Sequence, residues 1–167
     1  AVDGSIDINN YCWDETKKEV TNFYIVTPGT SQTDNNEYTT LLWPSRRVLE
    51  QEYVSGEGIV LIKYAYGTEL GGTLLNEKGE LDPKLHVDGI GTMCHEFSHC
   101  LGFMDHYDIA PGKHGDVQGV GYFDIMGYGC HNGDDWIPAG YSGYERQLAS
   151  WIDFKELYLD QPEIITS

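Results

Sequence analysis

Apolar and β-branched residues come in short bursts through the first half of the chain, separated by polar, glycine-rich and proline-containing stretches. Residues 1 to 18 are polar and turn-rich and read as two short extended pieces around a turn. Val20 to Thr27 (VTNFYIVT) is dense in β-branched and aromatic side chains, which predicts a strand ended by a turn at Pro28-Gly29. Thr30 to Tyr38 has turn chemistry without periodicity and reads as a surface loop. Leu41, Leu42 and Trp43 form a short apolar patch before Pro44, and the following SRRVLEQE suits either a helical turn or a strand. The clearest strand is Ile59 to Tyr66 (IVLIKYAY), followed by Gly67, Gly71 and Gly72, where backbone can approach closely or turn. The stretch from Tyr64 to Leu75 is therefore a place for an extended peptide to pair antiparallel by backbone hydrogen bonds.

The pattern then changes period. Asn76 to His86 reads as an exposed loop, and Asp88 is placed to cap a helix starting near Gly89. Ile90, Met93, Phe97 and Leu101 recur at intervals of three and four, predicting a core-facing stripe, while His95 and His99 fall on another face. Gly102 is the residue expected to stop the helix with a positive φ. From Asp105 to Asp135 the chain is rich in Gly, Asp, His and Tyr, with regularity only in Gly121 to Tyr128 (GYFDIMGY). Irregular segments of that length are uncommon unless they build a site. Ser142 to Phe154 spaces Tyr144, Leu148 and Trp151 as a helix that packs back on the core. The expectation is an α+β chain forming one domain over 1–167, with an N-terminal lobe of about 1–102, a C-terminal lobe of about 103–167, and a site between them.

Composition narrows the partners. Ten basic against 27 acidic residues give a formal net charge of −17, which repels phosphate backbones and anionic lipid and argues against nucleic acid. No run of about 18 apolar residues is present to span a membrane. The start, AVDGSIDINN, has neither the basic nor the apolar region of a signal peptide. Of four cysteines, Cys94 and Cys100 are six apart on the predicted helix, roughly 9 Å along its axis and about 240° around it, so they cannot bond to each other. A bridge between Cys12 and Cys130 and free buried thiols both remain open.

The chemistry concentrates in Thr92 to Asp108, TMCHEFSHCLGFMDHYD. Histidines four apart on a helix present both imidazoles to one ion, and zinc in a catalytic site takes three protein ligands and leaves a fourth position for water. His95 and His99 supply two ligands, and the turn at Gly102 brings round Asp105 as the third, with His106 and Asp108 as alternatives. Glu96, beside a ligand but free of the ion, is placed to take a proton from the water held there. His86, His114 and His131 read as surface residues. Asp108, Asp116, Asp124, Asp134 and Asp135 carry the hard oxygen donors that calcium takes, but no EF-hand spacing is present and solvated loop acids are the simpler reading.

HEFSHCLGFMD resembles the zinc signature of metzincin metalloproteases in its variant with Asp as third ligand. The longer pattern, GTMCHEFSHCLGFMDHYD followed by GYFDIMGYG and PAGYSGYERQLASW, resembles the immune inhibitor A family of secreted bacterial metalloproteases. The resemblance covers the second half of the chain well and the segments around Tyr11 to Thr27 and Trp43-Pro44 more weakly. It implies a metzincin-like zincin: a twisted mixed sheet, an active-site helix, and a mostly irregular C-terminal lobe with a methionine-containing turn at Met126 below the zinc. It implies His95, His99 and Asp105 as ligands and Glu96 as general base and acid. Tyr128 matches a position where some metzincins use a tyrosine to touch the metal or stabilise the oxyanion; simple packing is the alternative there. The implied activity is endopeptidase cleavage of extended protein or peptide substrates by a secreted or cell-surface monomer. The competing class is a proteolytically silent zinc-binding module of a larger secreted protein.

Overall fold

The computed structural model describes residues 19–20, 22–54, 58, 60–110, 113 and 119–155. The extended pieces expected in 1–18, together with Cys12, His114 and Asp116, lie outside the described residues.

Five strands, β1 (Glu19–Val20), β2 (Tyr24–Thr30), β3 (Ser45–Val54), β4 (Val60–Gly71) and β5 (His86–Val87), form one mixed sheet, accompanied by few helices. The apolar run that predicts a strand at Ile59 to Tyr66 becomes its spine: β4 pairs with every other strand. β3 runs antiparallel beside it from Ser45 opposite Tyr66 to Val54 opposite Val60. β1 and β2 are parallel to β4 and take the opposite edge, since each residue of a strand has only two sides. β5 adds antiparallel at Leu70 and Gly71.

Of the two readings open for SRRVLEQE, the strand is the one formed. Two expectations change. β2 runs through Pro28-Gly29 instead of ending there, with a register shift between Thr27 and Thr30 and Gly29 at φ 90°; a bulge accommodates the proline's missing donor and the left-handed glycine together. β4 cannot receive a substrate strand along Tyr64 to Leu75, because β2 covers one edge and β3 and β5 cover most of the other. At Gly67 a side chain would strike the Tyr24 hydroxyl, so the glycine admits an aromatic ring against the sheet.

Helix α1 (Ile90–Leu101) lies against β4. Its N-cap is Gly89, with no side-chain cap; Asp88 accepts the Gly89 N–H, and the Asp135 carbonyl accepts the Gly91 N–H at 2.8 Å. Gly102 ends it at φ 104°, as its sequence predicts. Lys63 of β4 donates to the Cys100 carbonyl at 2.9 Å, satisfying an end-of-helix acceptor.

The predicted core stripe is overturned at three of its four positions. Ile90, Met93 and Leu101 are 46%, 40% and 46% exposed and Phe97 is half-buried, while the buried positions are Gly91, His95, Ser98 and Cys100. The inward face of α1 carries polar side chains that all find partners, whereas a periodicity argument assigns burial to the apolar ones. Gly91 is part of that face because a side chain there would collide with the Cys130 carbonyl.

Beyond α1 the chain is mostly irregular, with short 3-10 helices at Gly121–Phe123 and Tyr128–His131 and a six-residue helix α2 (Gly143–Leu148). The C-terminal helix is thus far shorter than Ser142 to Phe154. Ser142 and Glu145 form a reciprocal capping box, Tyr144 and Leu148 are exposed, and of the expected packing residues Trp151 meets Phe103 and Tyr141 edge to face. Phe103, Ile125, Met126 and Cys130 form the apolar core of this part, flanked by Cys94, Tyr141 and Ala149. Cys94, Cys100 and Cys130 are free thiols. No helix among the described residues is long and apolar enough to cross a membrane.

Candidate metal centre

One turn of α1 separates His95 from His99, and their rings meet edge to face with centroids 4.9 Å apart. Each imidazole is oriented by a main-chain carbonyl: His95 Nδ1 contacts the Ile125 oxygen at 2.8 Å, and His99 Nδ1 contacts the Phe103 oxygen at 2.8 Å. A carbonyl only accepts, so Nδ1 carries the proton in both rings and each Nε2 presents a lone pair. The Gly102 turn then brings Asp105 back beneath the helix, with Oδ1 3.2 Å from His95 Nε2 and 3.3 Å from His99 Nε2.

Three donors at those separations suit one ion. Zinc sits about 2.0–2.2 Å from nitrogen and oxygen, which places neighbouring tetrahedral donors roughly 3.3–3.5 Å apart. Asp105 Oδ1 is also buried without a hydrogen-bond partner of its own, and an orphaned buried oxygen is costly unless something positive meets it. The electrostatics agree. Burial opposes charge on His95, but the Asp105 carboxylate, the Cys130 sulfur and the Ile125 carbonyl together overcome it and carry the imidazole up to about 10, and His99 moves up against the same opposition. Burial pushes Asp105 the other way, yet His95, His99 and Tyr107 hold its carboxyl well below the usual carboxylate range. The cluster is built to hold positive charge.

Of the alternatives for a third ligand, Asp105 is the residue brought to the histidines. His106 turns away to Asp124, 3.2 Å from its Oδ2, and Asp108 accepts the Ala110 N–H in a local turn. His86 and His131 are exposed, the latter paired with Asp135 at 2.8 Å. Among the described residues the only other group of donors close enough to share an ion is His106, Asp124 and Glu145. Asp108, Asp134 and Asp135 join no such group; Asp135 instead accepts from Thr92 at 2.7 Å, binding α1 to the following loop.

Glu96 lines a cleft of about 460 Å³ together with Trp43, Pro44, Ser45, Arg46, His99 and Asp105. On the other side it borders a second hollow of about 340 Å³ with His95, Tyr107 and Tyr128. Burial raises the Glu96 carboxyl above its ordinary value, against the two nearby imidazoles and the Arg46 N–H, a direction suited to accepting a proton near neutrality.

Met126 is fully buried, and its carbonyl accepts the His106 N–H at 2.8 Å. Asp124 fixes the turn that carries it, receiving the Met126 N–H on Oδ1 and the N–H groups of Gly127 and Gly129 on its carbonyl. A side chain at Gly129 would strike that same carbonyl. Tyr128 lies one ring further out than expected: its ring stacks on Tyr107 at 5.5 Å, and Tyr107 in turn stacks on His95 at 6.2 Å. Tyr107 is the neighbour that the sequence reading misses. Its place two residues after Asp105 is the one available signal.

The sequence profile of the family described as immune inhibitor A peptidase M6, catalytic domain, matches residues 42–152. No curated protein matches the chain.

Proposed function

Since the chain belongs to the immune inhibitor A peptidase M6 family, a metallopeptidase family, we propose that it is a zinc-dependent endopeptidase with His95, His99 and Asp105 as ligands and Glu96 as general base and acid. The observation that carries this reading is the convergence of two Nε2 lone pairs on one orphaned carboxylate oxygen, 3.2 and 3.3 Å from it, with Glu96 in the same cleft. A bound zinc ion supplies Lewis acidity to a peptide carbonyl and favours ionisation of water. Glu96 takes a proton from the attacking water and delivers it to the departing amine. Main-chain carbonyls 125 and 103 keep both imidazoles in the liganding tautomer throughout.

An extended substrate is best received along β3. Pro44, Ser45 and Arg46 wall the cleft opposite Glu96 and Asp105, and among the described residues β3 pairs only with β4, leaving one edge free for strand addition. The reading includes a metzincin-like arrangement, supported by the buried Met126 turn beneath α1, and a secreted or cell-surface location goes with it.

The test is Glu96→Ala measured for zinc content and for cleavage of an unfolded protein. The expected result is unchanged zinc with cleavage reduced by about 10²–10⁴-fold, the usual scale of general acid–base catalysis. Wild-type cleavage by that variant would overturn the assignment, and absence of any chelator-sensitive cleavage by the native chain would favour a silent zinc-binding module.

A further inference from the structure

His106, Asp124 and Glu145 lie on three separate segments: the residue after Asp105, the turn that carries Met126, and helix α2. Their ligand atoms all fall within 4.8 Å of one another. Asp124 and Glu145 are each only 1% exposed. Two carboxyl groups that deep need compensating charge, and His106 reaches both with ion pairs.

The hydrogen bonds leave one atom over. Asp124 Oδ1 accepts the Met126 N–H, and Glu145 Oε2 accepts the Ser142 N–H at 2.8 Å and the Ser142 hydroxyl at 3.1 Å. Glu145 Oε1 is buried with no hydrogen-bond partner and points at His106 Nδ1 from 3.9 Å. That span is too long for a hydrogen bond, yet two donors bound to one ion at about 2.1 Å stand roughly 3–4 Å apart. His106 Nδ1 to Asp124 Oδ2, at 3.2 Å, falls within the same range. A proton shared by the two carboxyl groups would relieve their repulsion, but would leave the gap between His106 and Glu145 unfilled.

We propose that His106 Nδ1, Asp124 Oδ2 and Glu145 Oε1 form a second metal site, structural in role, that binds a divalent transition-metal ion of the zinc class. One imidazole nitrogen with two carboxylate oxygens is a donor set for zinc or manganese. Calcium asks for six to eight oxygens and is not matched. The ion clamps the three segments beneath the Met126 turn. Asp105 and His106, consecutive in the chain, then face two different metal sites.

The experiment separates this site from the one on α1 by working in a chain carrying His95→Ala and His99→Ala. That chain is dialysed to equilibrium against micromolar zinc chloride, and bound zinc is counted by elemental analysis. Adding Glu145→Gln, which keeps an acceptor for Ser142, is expected to remove one zinc per chain, as is adding His106→Ala. X-ray absorption at the zinc edge of the His95→Ala, His99→Ala chain should show one imidazole among oxygen ligands. An unchanged zinc count in the added variants overturns the site, and so does a zinc shell containing sulfur or several imidazoles. Should an added variant fail to fold, the absorption spectrum decides alone, and a His95→Ala, His99→Ala chain that binds no zinc also overturns it. None of these results depends on the α1 site, so failure of one reading leaves the other standing.

Discussion

His95 Nδ1 meets the carbonyl oxygen of Ile125 at 2.8 Å, so the residue beside Met126 fixes the tautomer of the first histidine on α1. The metal centre is therefore not a property of the helix alone. It depends on how closely the Met126 turn and the following 3-10 helix approach α1, and Gly91 sets that approach. Its missing side chain admits the Cys130 carbonyl, which would otherwise lie within 2 Å of a Cβ. Alanine normally favours a helix interior over glycine by about 1 kcal/mol. Here overpacking dominates, at about 1–3 kcal/mol or more. Gly91→Ala is expected to lower stability in urea unfolding and to weaken zinc retention together; a stabilised variant with normal zinc would refute this account of the approach.

The third ligand yields to a comparison of variants. Asp105→Ala removes a charged donor from the proposed metal site itself. Outer-sphere partners of metal ligands are worth about 10–100-fold in metal affinity, so losing the ligand is expected to cost at least about 100-fold, with chelator-sensitive cleavage abolished. Asp108→Ala removes only a local turn contact to Ala110 and is expected to leave cleavage near the wild-type level. The reverse ranking would reassign the ligand.

Much of this centre is legible in sequence because its geometry is local. His95 and His99 need only helical spacing, and Gly102 announces the turn that frees Asp105. What fails is inference across the fold. The apolar stripe of Ile90, Met93, Phe97 and Leu101 looks like a core face, but the buried face carries His95 and Ser98, whose partners Ile125 and Tyr141 come from positions that periodicity does not register. Pro28-Gly29 reads as a turn because both residues break regular strands, and only the register with β4 reveals a bulge. The Ser142 to Glu145 capping box is a sequence signal for the start of α2, where the predicted helix also begins; the end at Leu148 is what its apolar spacing overshoots. The outer members of the cluster of His106, Asp124 and Glu145 are 39 positions apart, and the three carry no spacing pattern at all.

The two tyrosines of the hollow are expected to differ. Tyr107 stacks on His95 and lies beside the Asp105 carboxylate, while Tyr128 stacks behind it. Burial, and then the Asp105 charge, raise the Tyr107 hydroxyl well above its ordinary range, so it stays protonated and able to donate. Removing one such donor to a developing oxyanion costs about 10²–10³-fold in kcat. Tyr107→Phe is expected to show a loss of that order with unchanged zinc content, and Tyr128→Phe to stay near wild type in kcat. A loss confined to Tyr128→Phe would return the role to that residue.

Asp88, just ahead of α1, gives a pH dependence whose sign is fixed. Burial and then the charge of Asp135 raise its carboxyl from 3.8 to about 6, with Asp34 adding to the shift and the Gly89 N–H and His86 opposing it. The folded protein thus holds this proton more tightly than the unfolded chain does. Its contribution to stability is fully present below about pH 3.8 and is lost as pH rises through about 6. Asp88→Asn keeps an oxygen for the Gly89 N–H but removes the charge. At pH 8 the variant is expected to exceed the wild type in stability by about 1–2 kcal/mol, allowing for partial solvent screening. Denaturant melts between pH 8 and pH 4 should show that gap closing as the wild-type carboxyl takes up its proton. A gap that stays constant with pH, or a variant less stable at pH 8, would mean that the Asp88 charge is not what strains this junction.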